Sequence, residues 1–255
     1  MSTPGEPIFE LRGVGFRFPE AEALVDLSCA LREKECVFLL GANGSGKSTL
    51  LRLLAGLVFP TSGELRYAGA PLTEEALMRG DFAYPFRQRV AITFQNSDVQ
   101  LFNPSVFDEL AFGPLQMRWP REKIIARVEE TLRSLDILHL QHRAPHQLSE
   151  GEKKRVALAS VLVLEPEVLL LDEPTAALDP QSRSRMIDFL FDCRGVKTVI
   201  VSTHELALAH DLADRCLVLE NGRLAADGPP EQILGDEALL RRAHLLHTHR
   251  HRHGS

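Results

Sequence analysis

Residues 36–49 constrain this chain more than any other stretch. An apolar run, Cys36-Val-Phe-Leu-Leu40, leads directly into Gly41-Ala-Asn-Gly-Ser-Gly-Lys-Ser48 and then Thr49. So uniformly apolar a run, bounded by glycine, suits a strand buried on both faces. Beyond the loop, Leu50, Leu51, Leu53, Leu54 and Leu57 predict a helix over 49–57, with Gly56 near its end. Glycine at the first and sixth loop positions, then lysine and a hydroxyl, is the spacing of a polyphosphate cradle. The glycines let backbone N–H groups turn inward, and the helix start adds its positive dipole end. Lys47 would reach the β- and γ-phosphates and Ser48 would offer a hydroxyl to Mg²⁺.

Two further segments extend this chemistry. Val168-Leu-Leu-Leu171 ends in Asp172-Glu173, so one carboxylate can hold Mg²⁺ while the next polarises water. Taken alone, such a pair at a strand end is usually a solvated turn; the loop at 41–48 reverses that reading. Leu148-Ser-Glu-Gly-Glu152 places Ser149 and Gly151 at a helix start, a second anion site. The same residues also meet the pattern of a capping box, with Glu152 three positions after Ser149.

Composition narrows the partners. The 255 residues carry a formal net charge of -6, so no global basic field favours nucleic acid. Apolar runs such as Val161 to Leu164 fall far short of the roughly 20 residues that span a bilayer. The first ten residues, MSTPGEPIFE, lack the basic and apolar regions of a secretory signal, which predicts a cytoplasmic location. Cys29, Cys36, Cys193 and Cys216 show no Cys-x-x-Cys spacing and read as plain buried thiols.

The rest of the chain reads as α/β. Residues 8–40 alternate short β-like runs with turns. Ile124, Ile125, Val128, Leu132 and Leu135 predict a helix over 121–140, and another follows over 149–164, making the middle α-rich. The runs 168–171, 198–201 and 216–219, separated by helix-length segments, predict a parallel sheet. Asn221-Gly222 reads as a hairpin turn, and Gly228-Pro229-Pro230 breaks the chain.

Taken together, Gly41 to Thr49, Gln95, Leu148 to Glu152, Leu169 to Glu173, Ala177-Leu178-Asp179 and His204 closely resemble the ABC ATPases in order and spacing. The likeness runs from about Ile8 to Leu234. It implies a P-loop NTPase with a RecA-like parallel sheet core, an N-terminal antiparallel β subdomain and an α-helical signature subdomain. The ATPase domain would span 1–235, its helical part about 96–165, and residues 236–255 would form a helix and a His-rich tail. The resemblance implies a head-to-tail pair of ATPase chains, alike or related, with ATP between the loop of one chain and Ser149 to Gly151 of the other.

By family role the loop residues Gly41, Asn43, Gly44, Ser45, Gly46, Lys47, Ser48 and Thr49 bind the phosphates, and Phe18 stacks on adenine. Gln95 and Asp172 join Ser48 at Mg²⁺, and Gln95 couples that ion and the water to the transport partner. Glu173 activates water, His204 contacts the γ-phosphate and Asp179 bridges the subunits. These residue types suit those tasks: an aromatic face for a base, an amide that donates and accepts, an imidazole donor. Phe18 reads alternatively as core, and Gln95 and His204 as ordinary polar loop residues.

The family more often has Gly and Gln where Glu150 and Glu152 stand, and Tyr at the position of Phe18. Phe94-Gln-Asn-Ser-Asp-Val-Gln-Leu-Phe102 is similar to the Phe-Gln-Asn-Pro-Asp-Asp-Gln-Leu-Phe stretch of energy-coupling-factor importers, which take up cobalt, nickel and vitamins; Ser97 and Val99 are its departures. The resemblance implies a peripheral ATPase at the cytoplasmic face of the membrane, meeting an integral-membrane subunit through residues 96–118. A vitamin importer and a mechanoenzyme on nucleic acid are the alternatives. His244, His247, His249, His251 and His253 offer ligands suited to Ni²⁺ or Co²⁺, although Arg250 and Arg252 would repel a cation. The same segment reads more readily as a disordered tail.

Overall fold

A computed structural model describes residues 7–246. The chain opens with a long antiparallel hairpin, β1 (Pro7–Phe18) and β2 (Ala21–Arg32), where the sequence suggested several short runs. Gly13 and Asp26, both at positive φ, lie where the register shifts, so the turn-like residues become bulges within continuous strands. β3 (Cys36–Leu40) and α1 (Lys47–Leu54) bracket the glycine loop. β4 (Ser62–Tyr67) and β5 (Ala70–Pro71) complete a four-stranded antiparallel sheet in the order β2-β1-β4-β5.

Helices α2 (Glu74–Met78) and α3 (Gly80–Arg89) lead to β6 (Val90–Thr93), followed by α4 (Val106–Gln116), α5 (Arg121–Ser134) and α6 (Glu150–Leu162). The remainder alternates strand and helix: β7 (Val168–Asp172), α7 (Pro180–Cys193), β8 (Thr198–Thr203), α8 (Leu206–Leu212) and β9 (Arg215–Glu220). β10 (Arg223–Gly228), α9 (Pro230–Gly235) and α10 (Glu237–Arg242) close the described chain. The second sheet runs β10-β9-β3-β8-β7-β6, parallel except for β10 at its edge. The α/β reading holds, and Asn221 and Gly222 both take positive φ, as a tight hairpin between β9 and β10 requires.

Strand alternation sorts the core into layers. Val37 and Leu39 of β3 pack with Leu50, Leu51, Leu53 and Leu54 of α1 under the antiparallel sheet. Cys36, Phe38 and Leu40 face the opposite layer with Leu190, Leu208 and Leu212. Among the cysteines Cys36, Cys193 and Cys216 are buried, as expected, while Cys29 is only half-buried. α1 stops earlier than its leucines suggest, because Gly56 turns left-handed at φ +66° and Leu57 donates back to Arg52. Leu57 is therefore exposed rather than part of the apolar stripe.

A third core joins α4, α5 and α6 through Leu110, Val128, Leu132 and Val156. The helix predicted over 121–140 ends at Ser134. Asp136 enters the left-handed region, Ile137 donates to Leu132, and the reversal returns Ile137 and Leu140 to the same core. One buried charge organises this unit. The Glu109 carboxylate accepts from Phe102 N–H at 3.0 Å, Asn103 N–H at 2.8 Å and Asn103 Nδ2 at 3.1 Å. Glu109→Ala leaves those donors unpaired, and the expected loss of stability is about 2–3 kcal/mol in a urea titration. A loss below about 0.5 kcal/mol would show that the loop finds other acceptors.

Candidate functional site

The glycine loop is built by close approach. Gly41 and Gly46 hold φ +155° and +107°. A Cβ on Gly41 would lie 2.4 Å from Ser45 Oγ and 2.5 Å from Leu219 O. A Cβ on Gly46 would lie 2.7 Å from Leu24 Cδ2 and 2.8 Å from Ala23 O. Ser45 turns its buried hydroxyl inward against Gly41, so its side chain shapes the loop instead of facing the cleft. α1 begins at Lys47 with no side chain capping its first turn, leaving those N–H groups for an anion. Lys47 Nζ donates to Gly41 O at 2.7 Å and Ala42 O at 3.0 Å. Burial lowers its pKa, opposed by the carboxylates of Glu173 and Asp172.

Gly46 and Lys47 line a cleft of about 410 Å³, within the range of small-molecule sites. It brings together Phe18, Asn43, Gly44, Gly46, Lys47, Ser48, Thr49, Gln95, Asp172 and Glu173. Phe18 is 40% exposed and stands edge-on to Phe16 at 4.9 Å, so its ring lines the cleft instead of filling the core.

Asp172 closes β7 and receives the Ser202 hydroxyl. Glu173 is 5% exposed and sits at φ +49°, a left-handed conformation for a non-glycine residue. Several groups hold it there. Its N–H donates to Ser202 O at 3.0 Å, and its carbonyl accepts from Lys154 Nζ at 3.0 Å. Thr203 Oγ1 donates to Oε2 at 3.3 Å, and His204 Nδ1 lies 2.9 Å from Oε1. His204 is otherwise exposed. Ser202, Thr203 and Lys154 were not singled out in the sequence. The signal for the first two was polar residues ending an otherwise apolar strand just before His204. Lys154 follows Gly151 by three positions on the buried side of α6.

Ser149, Gly151 and Asp179 form a second group apart from the cleft lining. The capping box is present: Glu152 Oε2 accepts from Ser149 N–H and Oγ, both at 2.8 Å, and these bonds lower the Glu152 pKa. Asp179 caps α7 through the Gln181 and Ser182 N–H groups at 3.0 Å. A Cβ on Gly151 would lie 2.6 Å from Ser182 Oγ and 3.1 Å from Asp179 Oδ2, so this glycine packs against that cap.

Residues 24–176 match the profile described as ABC transporter. The chain belongs to the ABC transporter family. It binds and hydrolyses ATP as the ATP-binding subunits of that family do. It is similar to the nickel import ATP-binding protein NikO of Rhodobacter capsulatus, 54% identical over 244 residues, covering 94% of this chain and 96% of that protein. The energy-coupling factor transporter ATP-binding protein EcfA2 of Methanospirillum hungatei is 38% identical over 94% of this chain and 60% of its own length. A solved structure of cbiO1 from Clostridium perfringens, described as part of the ABC transporter complex cbiONQ, matches with a TM-score of 0.77 and 33% identity. It covers 94% of this chain and 95% of that one. These relatives bear out the resemblance to energy-coupling-factor and cobalt/nickel ATPases and the P-loop NTPase fold.

Among the described residues no cluster of three or more His, Cys, Asp or Glu could hold a metal ion, and no helix is long and apolar enough to cross a membrane. Ser48 and Asp172 are hard oxygen donors lining one cleft, which fits a Mg²⁺ completed by phosphate oxygens and water. His247, His249, His251 and His253 lie outside the described residues.

Proposed function

We propose that the chain is the ATPase that powers import of nickel or cobalt ions, docked on an integral-membrane subunit at the cytoplasmic face of the membrane. The observation that carries this is an exposed aromatic pair, Phe102 and Phe112, edge to face at 5.2 Å, on the segment whose other end is Gln95 in the cleft. Val99 and Leu115 add exposed apolar surface to the same segment. The segment is tied down at several points. Gln100 accepts from Phe94 N–H at 3.3 Å and donates to Ala157 O at 2.8 Å, while Asp98 pairs with Lys153 at 2.8 Å. These bonds join the segment that carries the aromatic pair to Phe94, the neighbour of Gln95, and to the helix that begins after Ser149.

In the proposed cycle the loop N–H groups and Lys47 hold the phosphates, and the Phe18 face supports adenine. Mg²⁺ held by Ser48, Asp172 and Gln95 would neutralise phosphate charge. Glu173 takes a proton from the attacking water as its oxygen bonds to the γ-phosphorus and the bond to ADP breaks. Thr203 and His204 orient that carboxylate. Ser149 and Gly151 of a second ATPase chain, a copy or a related subunit, close over the nucleotide.

Co-expression with candidate membrane subunits and measurement of labelled Ni²⁺ and Co²⁺ uptake tests this reading. Uptake of either ion that requires ATP and this chain supports it. A complex that moves only a vitamin would favour the second reading. ATPase activity stimulated by DNA without a membrane partner would overturn both.

A further inference from the structure

The turn between β9 and β10 does more than reverse the chain. It meets both halves of the nucleotide cleft, although it lies far from them in sequence. Gly222 N–H donates to Ser45 O in the phosphate loop at 3.1 Å, and Val25 N–H in β2 donates to Gly222 O at 2.8 Å. One peptide unit on either side of Gly222 thus ties the phosphate loop to the hairpin that carries Phe18. The contact is tight enough to exclude a side chain. A Cβ on Gly222 would lie 2.7 Å from Ala23 O, 3.1 Å from Ala23 C and 3.2 Å from Leu24 Cα. From the other side, a Cβ on Gly46 would meet the same Ala23 O at 2.8 Å and Gly222 Cα at 3.7 Å. Three backbones therefore converge on one point: the loop at Gly46, the hairpin at Ala23 and the turn at Gly222. Ala21 and Ala23 line the cleft between Phe18 and the loop, so movement here changes the spacing of its two ends.

We propose that Gly222 is a positioning residue for the nucleotide, a clasp that sets the distance between the base-supporting hairpin and the phosphate loop. It touches neither base nor phosphate. Its effect falls on ligands that occupy both ends of the cleft together, because only they need that spacing. A ligand confined to the phosphate loop is indifferent to it: the atoms that a Cβ would strike belong to the hairpin, whereas the bond to Ser45 leaves from the Gly222 N–H. The clasp rests on the reading that Phe18 supports the base.

Calorimetric binding of ATP and of inorganic tripolyphosphate, each with Mg²⁺, to the full chain separates these contributions. The unchanged chain is expected to prefer ATP, and Phe18→Ala to erase most of that preference. Gly222→Ala is expected to weaken ATP binding at least tenfold while changing tripolyphosphate binding less than threefold. Gly222→Asn distinguishes the cause. Asn tolerates positive φ but carries a Cβ, so it should fail as Ala does if the clash with Ala23 is responsible. Rescue by Asn would overturn the clasp and leave only backbone strain. Asn221→Ala strains the same turn mildly and adds no atom at Gly222, so it is a folded control expected to bind both probes within threefold of the unchanged chain; an ATP-specific loss there would assign the effect to turn strain and overturn the clasp. Equal affinity of the unchanged chain for the two probes would sink the base-stacking reading and the clasp with it. A clear preference for ATP that Gly222→Ala leaves intact would overturn the clasp alone.

Discussion

Glu173→Gln should retain ATP binding, lose at least about a hundredfold in hydrolysis, and accumulate as an ATP-bound dimer, since a positioned general base contributes roughly 10²–10⁴ in rate. Glutamine matches the shape of the side chain, so the bond from Thr203 Oγ1 can persist, and the backbone bonds to Ser202 and Lys154 do not involve the carboxylate. What disappears is the proton acceptor. Removing one negative charge beside Lys47 and the phosphates also lessens repulsion of ATP, so affinity should hold or rise. Phosphate release, equilibrium dialysis with labelled ATP and light scattering provide the three readouts. Wild-type turnover would exclude Glu173 as the base. Weakened ATP binding would instead indicate that the left-handed turn at Glu173 had shifted.

The parts of this site that were legible in the sequence are those whose chemistry depends on local spacing. Gly41 to Ser48 could be read because a loop that wraps phosphate needs its glycines, lysine and hydroxyl within one turn and a helix behind them. Asp172 and Glu173 were legible once the apolar strand before them was seen. The partners that hold Glu173 were harder to read. Thr203 and Ser202 come from the next parallel strand, Lys154 from a helix in another layer, and only sheet order brings them together. Gly222 shows the same limit. Its residue type announced a hairpin, and the hairpin is present, but the need for glycine also comes from Ala23, two hundred positions earlier in round terms. Positions whose conformation is set locally can thus be read from pattern, whereas positions set by the approach of a distant backbone cannot. Helix ends failed for a related reason. Leu135 and Leu57 continue their helical patterns, yet left-handed turns at Asp136 and Gly56 stop both helices.

Lys47→Met is the substitution expected to silence the site most completely while leaving the fold intact. Methionine keeps an unbranched stem in a buried position, so packing around α1 changes little. Two opposing effects then act on the protein without nucleotide. The carbonyls of Gly41 and Ala42 lose a donor, at about 1 kcal/mol each. Against this, the chain no longer buries an ammonium whose desolvation already lowers its pKa. Net stability should therefore move by no more than about 1–2 kcal/mol. The effect on the liganded state is far larger, because the only lysine in the cleft lining is gone and the helix N–H groups alone face the phosphates. Saturating ATP at a hundred times its dissociation constant should stabilise the unchanged chain by about 2.7 kcal/mol. That stabilisation should vanish in the methionine variant, together with hydrolysis, in a melting experiment run with and without Mg²⁺-ATP. An ATP-induced shift equal to that of the unchanged chain would mean that the lysine serves only to brace its own loop.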